Sequence, residues 1–220
     1  MADDKKPTKA ERRDDARTRR LEEMKRRQRK AAVRKMYSIG LAVLIVAGIA
    51  GLVVLSQKGS GKDKAALAAL VTSAGCEKEQ TPSDLGAGHL DKAKGETATY
   101  NSKPPTSGKH LPNWSNTGVL TAPVDTEMQV HNLEHGHVVI QYKDIDDALI
   151  TKLEAVAKTD ATRIITAPYN DMPYKVAITS WGHLVGCNTP NDGVVDAAKA
   201  FADQRKGKGP EGDIPGTPNG

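Results

Sequence analysis

Aromatic residues and cysteines are scarce in this chain. Of the 220 residues, one is Phe, two are Trp, five are Tyr and two are Cys, and aromatic residues make up 4%. Large aromatic side chains supply much of the buried apolar area of most cores, so a domain of this composition is expected to need a cross-link. Cys76 and Cys187 form no C-x-x-C motif, which favours a disulfide between them over a thiolate metal site or a redox thiol.

Basic residues are concentrated at the beginning of the chain. The formal net charge is +5, but residues 1–35 contain 15 of the 32 Lys+Arg and 7 of the 27 Asp+Glu, a net of +8. Residues 36–220 therefore carry a net of −3, with 17 basic and 20 acidic residues. The basic tail has no aromatic residue for base stacking, and acids alternate with its bases. We expect it to lie on anionic lipid headgroups and not to bind nucleic acid.

Charge is absent from residues 36–57, "MYSIGLAVLIVAGIAGLVVLSQ". As a helix this stretch is long enough to cross the ~30 Å hydrocarbon layer of a bilayer. It is longer than the apolar region of a signal peptide, and no convincing cleavage site follows, so it predicts an uncleaved, single-pass transmembrane helix. The positive-inside rule then places residues 1–35 in the cytoplasm and residue 58 onward outside the cell membrane.

These patterns divide the chain into five segments. They are a basic cytoplasmic tail (1–35), a transmembrane helix (36–57), a tether (58–75), an extracytoplasmic domain (76–205) and a disordered tail (206–220). Outside the membrane the compartment is oxidising, which supports the disulfide. A bridge between Cys76 and Cys187 would close a loop of ~110 residues and stabilise the fold by several kcal/mol.

The two halves of the external domain differ in regularity. The first half is rich in Gly, Pro, Ser, Thr and Asn, as in "NSKPPTSGKHLPNW", and predicts a long irregular region. The second half predicts strand, helix, strand, strand and helix, which is typical of an α+β fold of packed layers. The predicted elements are a strand at 137–142, a helix capped by Asp144, strands at 163–169 and 174–186, and a helix beginning near Asn191 or Asp192.

Three of the six histidines lie in one short segment, "HNLEHGH", at residues 131–137. In a helical turn His131 and His135 share one face, and in a strand His135 and His137 do. Imidazole with thioether suits copper, and imidazole with carboxylate suits zinc. The segment therefore predicts a copper or zinc site, with His110 folding over it from its Pro/Gly-rich loop. The candidate ligands are His110, Met128, His131, Glu134, His135 and His137.

Other interpretations of this segment remain open. Residues 131–135 spell H-x-x-E-H, the inverted zinc-peptidase motif in which Glu134 would be the general base, although a glycine and a strand follow where that motif needs a long helix. Alternatively, the cluster is a hydrogen-bonded knot within a structural or interaction module that meets another envelope protein. We expect binding and not turnover, so no catalytic residue is assigned. His89 and His183 are expected to be surface or hydrogen-bonding histidines, and Trp114 a core residue.

The sequence also resembles a known family. The combination of "PPTSGKH", "VHNLEHGHVVIQY", "APY" and a late "WG…C" is similar to the bacterial domain of unknown function 3105 family over most of residues 76–203. The resemblance implies one N-terminal membrane span with an external domain, and Cys76 and Cys187 as a pair. It points to a functional site at His110, His131, Glu134, His135 and Gly136. The family has no settled biochemical activity, so the resemblance sharpens the site and not the reaction.

Overall fold

The computed structural model describes residues 24–26 and 61–219. A helix at residues 61–73 (α1) opens the second of these ranges. Its Leu67 and Val71 are 1% exposed and pack into the main core together with Ala74. We expected residues 58–75 to be a tether, and for residues 61–75 this was wrong. Apolar residues at spacings of three and four give α1 one buried face, and an Ala-rich composition alone does not reveal that.

The chain from Cys76 to Asp125 is mostly irregular, as its composition predicted. It contains only short elements: β1 (Ala87–His89), a 3-10 turn (Lys92–Lys94), β2 (Gly108–His110) and β3 (Gly118–Val119). β1 and β2 pair in parallel with His89 opposite His110. This pairing brings together two histidines that lie in separate loops of the sequence.

The second half is regular, and the fold is α+β. Its elements are α2 (Thr126–Glu134), β4 (Val138–Tyr142), α3 (Asp147–Thr159), β5 (Ile164–Pro168), β6 (Val176–Ser180), β7 (His183–Cys187) and α4 (Gly193–Arg205). The single strand expected at 174–186 is instead a hairpin, because Gly182, with φ 70°, reverses the chain between β6 and β7. The side chain of Asp146, and not of Asp144, caps α3 by accepting a hydrogen bond from the N–H of Leu149.

A five-stranded mixed sheet in the order β3-β5-β4-β6-β7 forms the centre of the domain. β4 and β5 are parallel and connected through α3, whereas β4, β6 and β7 are antiparallel neighbours. α1, α3 and α4 cover one face, and their apolar residues form the larger core. On the other face Leu133 of α2 packs with Val139 and Ile165. The C-terminal end of α2 is thereby held against the sheet.

The expected disulfide is present. It joins Cys76, just after α1, to Cys187, the last residue of β7, across 111 positions. Cys187 is fully buried. The bridge therefore fixes the start of the irregular half to the sheet.

The tail that we expected to be disordered is ordered from residue 206 to residue 219. Residues 207–219, here called the C-terminal strap, run back over the end of α2. The N–H of Gly207 donates to the carbonyl of Gly136 (2.8 Å), and the N–H of Gly216 donates to Thr162 (2.8 Å). The high content of Gly and Pro suggested disorder. Backbone hydrogen bonds such as these leave no signal in the composition, so the order of the strap could not be predicted from it.

The predicted membrane span at residues 36–57 lies outside the described residues, as does all of the basic tail except 24–26. Within 24–26 and 61–219, none of the helices combines the length and the apolar character that crossing a bilayer requires.

Replacing both cysteines, Cys76→Ser with Cys187→Ser, should lower the free energy of unfolding by about 4 kcal/mol, because the bridge closes a loop of more than 100 residues. Chemical denaturation followed by fluorescence measures this. Reductant should destabilise the wild-type chain and leave the double variant unchanged. Equal stability of oxidised wild type and double variant would contradict the role given to the bridge.

Candidate metal site

The capping of α2 sets the positions of the clustered histidines. The carboxylate of Asp125 accepts hydrogen bonds from the N–H groups of Glu127 (2.8 Å) and Met128 (3.2 Å), which begins the helix. His131 then lies in the last turn, and His135 is the residue that ends it. The i, i+4 spacing brings their Nε2 atoms to 3.1 Å from each other, on the face that the sequence predicted.

His110 reaches the same place from β2 and is completely buried. Its Nδ1 lies 2.8 Å from the carbonyl oxygen of Gly108, and its Nε2 lies 2.9 Å from Oε2 of Glu134. Glu134 is itself only 4% exposed. Four of the six predicted ligands, the histidines at 110, 131 and 135 together with Glu134, therefore meet in one cluster.

The orientation of His131 is fixed by a backbone group. Its Nδ1–H donates to the carbonyl of Leu111 at 2.7 Å, which leaves the lone pair of Nε2 directed into the cluster. Burial lowers the pKa of His131 below its ordinary value of 6.5, so the ring is neutral at neutral pH. Trp114, which we expected in the core, is 40% exposed and covers the cluster, with its ring centroid 4.5 Å from that of His135.

Sequence reasoning missed His89. Its ring stacks on that of His131, with centroids 5.1 Å apart and planes at 21°. It also lies 5.2 Å from the ring of His110, edge to face. Only the parallel pairing of β1 with β2 brings it there, and the intervening irregular segment gives no local pattern from which that pairing could be predicted.

Glu211 was missed as well, since it lies in the strap. Its Oε2 is 3.0 Å from Nε2 of His135. The strap presents it by donating the N–H of Glu211 to the carbonyl of Glu134 and the N–H of Ile214 to that of His135, both at 3.2 Å. The expectation of a disordered tail removed this carboxylate from consideration.

His137 points away from the cluster. Asn132 donates to its Nδ1 (3.0 Å), and its Nε2–H donates to the carbonyl of Ile214 in the strap (2.8 Å). Burial lowers its pKa to about 4, so it is a neutral residue that fastens the strap. The predicted shared face with His135 required a strand already formed at 135, but Gly136, at φ 81°, turns the chain first. The hydrogen bonds with Asn132 and Ile214 occupy both ring nitrogens of His137 and leave neither free for the cluster.

Met128 lies in the first turn of α2 and is half-buried. Its part in binding a metal stays a prediction.

The donors fall into two overlapping groups in which one ligand atom per residue lies within 4.8 Å of the others. One group is His89, His110, His131 and Glu134, and the other is His131, Glu134, His135 and Glu211. Imidazole nitrogens with carboxylate oxygens form the donor set typical of zinc and related divalent ions. Each group is therefore a candidate metal site.

A layered α+β domain with a buried histidine and glutamate cluster is the class of protein that the fold and site define. The chain belongs to the family described as Protein of unknown function (DUF3105), whose model matches residues 91–217, more than half of the chain. The matched range contains the cluster except His89, and it includes Glu211 and most of the strap. No curated protein and no solved structure matches the chain significantly.

Docking of the strap depends on close backbone contacts at Gly209. A Cβ atom there would lie 2.0 Å from the carbonyl oxygen of Glu134 and 2.4 Å from the nitrogen of Gly136. Gly209→Ala should therefore displace the strap and remove the hydrogen-exchange protection of the Ile214 and Gly216 amides.

Lys208→Ala is the matched control at the start of the same strap. Lys208 is exposed, and its hydrogen bond to the carbonyl of Arg205 comes from the backbone N–H, which the change keeps. This variant should keep the protection of the two amides. Protection that survives Gly209→Ala would show that the strap is not held as described.

Proposed function

We propose that this protein is a membrane-anchored, extracytoplasmic metal-binding protein. Its site binds a borderline divalent ion, zinc in the first place, with ligands drawn from Nε2 of His110, His131 and His135 and the carboxylate of Glu134. The observation that carries the proposal is the arrangement of the ring nitrogens. Nδ1 of His110 and of His131 face backbone carbonyls, while the Nε2 atoms meet in one cluster.

The hydrogen bonds of the cluster leave a place for a cation. A carbonyl can only accept, so Nδ1 of His110 carries a proton, and Nε2 faces the carboxylate of Glu134 at 2.9 Å. With no cation at Nε2, proton or metal, both of these atoms would be acceptors. A cation between the two atoms removes this repulsion, and donation of the other ring N–H to a carbonyl is the usual state of a metal-bound histidine.

The same conflict occurs at His135. Its Nε2 lies 3.1 Å from the acceptor Nε2 of His131 and 3.0 Å from the carboxylate of Glu211. One proton there can serve only one of these two acceptors. An ion bound at Nε2 satisfies both contacts at once.

The charge of Glu134 supports a cation as well. Burying a carboxylate is costly unless a positive charge accompanies it. Within the described part of the chain, the basic side chain beside the carboxylate of Glu134 is His110 (2.9 Å), and no lysine or arginine nitrogen lies within 4 Å. A divalent ion would supply positive charge there.

The donor set favours zinc over copper. Two nitrogens on one tetrahedral zinc, each bound at ~2.0–2.1 Å, lie about 3.3 Å apart. The Nε2 atoms of His131 and His135 are 3.1 Å apart, so a shift of a few tenths of an ångström suffices. Carboxylates, which suit zinc, contact the imidazoles directly. Copper is the competing ion. Measuring the affinities of the metal-free protein for Zn(II) and for Cu(II) side by side distinguishes the two.

The cellular setting is part of the proposal. The uncharged residues 36–57 and the basic residues 1–35 support a single-pass anchor with a cytoplasmic N-terminus and a tail on anionic lipid headgroups. The disulfide supports an oxidising compartment for the domain. Another envelope protein would be the natural recipient or donor of the ion. Hydrolysis is not proposed, since the H-x-x-E-H segment lies at the end of a nine-residue helix and Glu134 contacts His110.

Metal-free wild-type chain should bind at least one equivalent of Zn(II) in calorimetry, and zinc should raise its thermal transition. His131→Ala and His135→Ala should each weaken binding at least tenfold, because each removes an Nε2 donor. His183→Ala is the matched control, since this histidine pairs with Glu79 (2.9 Å) outside both donor groups and should leave binding unchanged.

The hydrogen-bonded knot makes the opposite prediction for the same variants. If no ion binds, His131→Ala and His135→Ala destabilise the fold equally with and without chelator, and zinc leaves the wild-type transition where it was. That result would remove the proposed function.

A further inference from the structure

We propose that the cluster holds two ions, with the carboxylate of Glu134 bridging them. This inference rests on the proposed function and extends it. One ion lies between His89, His110 and Glu134, and is called the β-ribbon ion because its histidines come from β1 and β2. The other, the strap ion, lies among His131, Glu134, His135 and Glu211.

The number of donors exceeds what one ion can use. Six side chains supply ligand atoms to the two overlapping groups, whereas zinc in proteins takes about four ligands. Four of the six are also buried, with exposures of 4% or less: His110, His131, Glu134 and His135. A single ion would leave at least two donors of a closely packed cluster unused.

The ring nitrogens that are free of other hydrogen bonds determine which of the two ions each histidine binds. His131 belongs to both groups, but its Nδ1 is occupied by Leu111, so it can bind only one ion, through Nε2. That atom lies 3.1 Å from Nε2 of His135, which lies 3.0 Å from Glu211. His131 is therefore assigned to the strap ion.

The β-ribbon ion uses the register of the short parallel pair. His89 and His110 are direct partners across β1 and β2, so their side chains point to the same side of the ribbon. Nε2 of His110 contacts Oε2 of Glu134 at 2.9 Å. These three residues supply one donor each, and solvent can supply a fourth because His89 is exposed.

Glu134 is the member common to both groups that has two donor atoms. A carboxylate can bind one ion through each oxygen, which sets two ions about 3.5–4 Å apart, the spacing of two-metal sites. An imidazole with one nitrogen already occupied cannot bridge in this way. The position of Glu134 at the end of α2, between β2 and the strap, is the structural basis of the two-ion arrangement.

Stoichiometry tests this inference on the full-length chain, purified without a histidine tag and freed of metal by chelation. Zn(II) alone is titrated, and bound zinc is counted by elemental analysis. Two equivalents are expected. One equivalent would overturn the two-ion site and leave the proposed function standing, and none would overturn both.

Two variants at exposed donors separate the ions without disturbing the core. His89→Ala should reduce the bound zinc from two equivalents to one. Glu211→Gln should weaken one binding step at least tenfold and leave the other unchanged, whereas His183→Ala should keep both. If His89→Ala still binds two equivalents of zinc, the assignment of the β-ribbon ion is overturned. If both binding steps are unchanged in Glu211→Gln, the assignment of the strap ion is overturned.

Cu(II) serves as a magnetic probe of the bridge. Two copper ions joined by one carboxylate couple, so the paramagnetic resonance signal per copper should be weaker at two equivalents than for two isolated ions. In His89→Ala the single copper should give the full uncoupled signal. An uncoupled signal from a wild-type chain that holds two copper ions would exclude Glu134 as the bridge.

Discussion

Two hydrogen bonds from imidazole to backbone orient the histidine cluster of this domain. Nδ1–H of His110 donates to Gly108 and Nδ1–H of His131 donates to Leu111. Because a carbonyl oxygen cannot donate, each bond places a proton on Nδ1 of its ring and directs Nε2 into the cluster. Without these two contacts both rings could turn N–H groups toward Glu134 and His135. With them, the Nε2 atoms face the cluster, which is the arrangement that the proposed cation would use.

The site around Glu134 is formed by segments from separate parts of the domain. The end of α2 is fixed to the sheet through Leu133, approached by β2 on one side, and crossed by the strap on the other. Glycines at 136 and 209 permit this crossing, since a Cβ at either position would lie within 3 Å of backbone atoms of the facing segment. The strap in turn supplies Glu211 and receives a hydrogen bond from His137. Arg163 holds the strap farther along with a bidentate ion pair to Asp213 (2.5 and 3.1 Å), which lowers the pKa of that carboxyl.

The sequence predicted what depends on local geometry and missed what depends on distant pairing. The i, i+4 spacing of His131 and His135 predicted their common face, because helix geometry fixes it within one turn. The α+β class and the last helix also followed from periodicity. His89 and Glu211 could not be found in this way, since β1 and β2 are separated by residues 90–107, whose only regular element is a 3-10 turn, and the strap is held by backbone hydrogen bonds. The error at His137 came from applying a strand period of two across Gly136, where the chain turns.

The distribution of exposure within the cluster bears on how an ion would be used. Structural zinc sites in proteins are closed, with all ligands protein-derived. Here each end of the group of buried donors has one donor that solvent can reach. His89 is exposed, and the side chain of Glu211 is 49% exposed. An ion held partly by such donors can exchange ligands with an incoming molecule, one bond at a time, while the buried imidazoles keep their orientation. The disulfide and the core on the opposite face of the sheet are separate from the cluster and do not depend on an ion. If the cluster holds an ion as proposed, this distribution of exposure suits reversible uptake and transfer better than permanent retention.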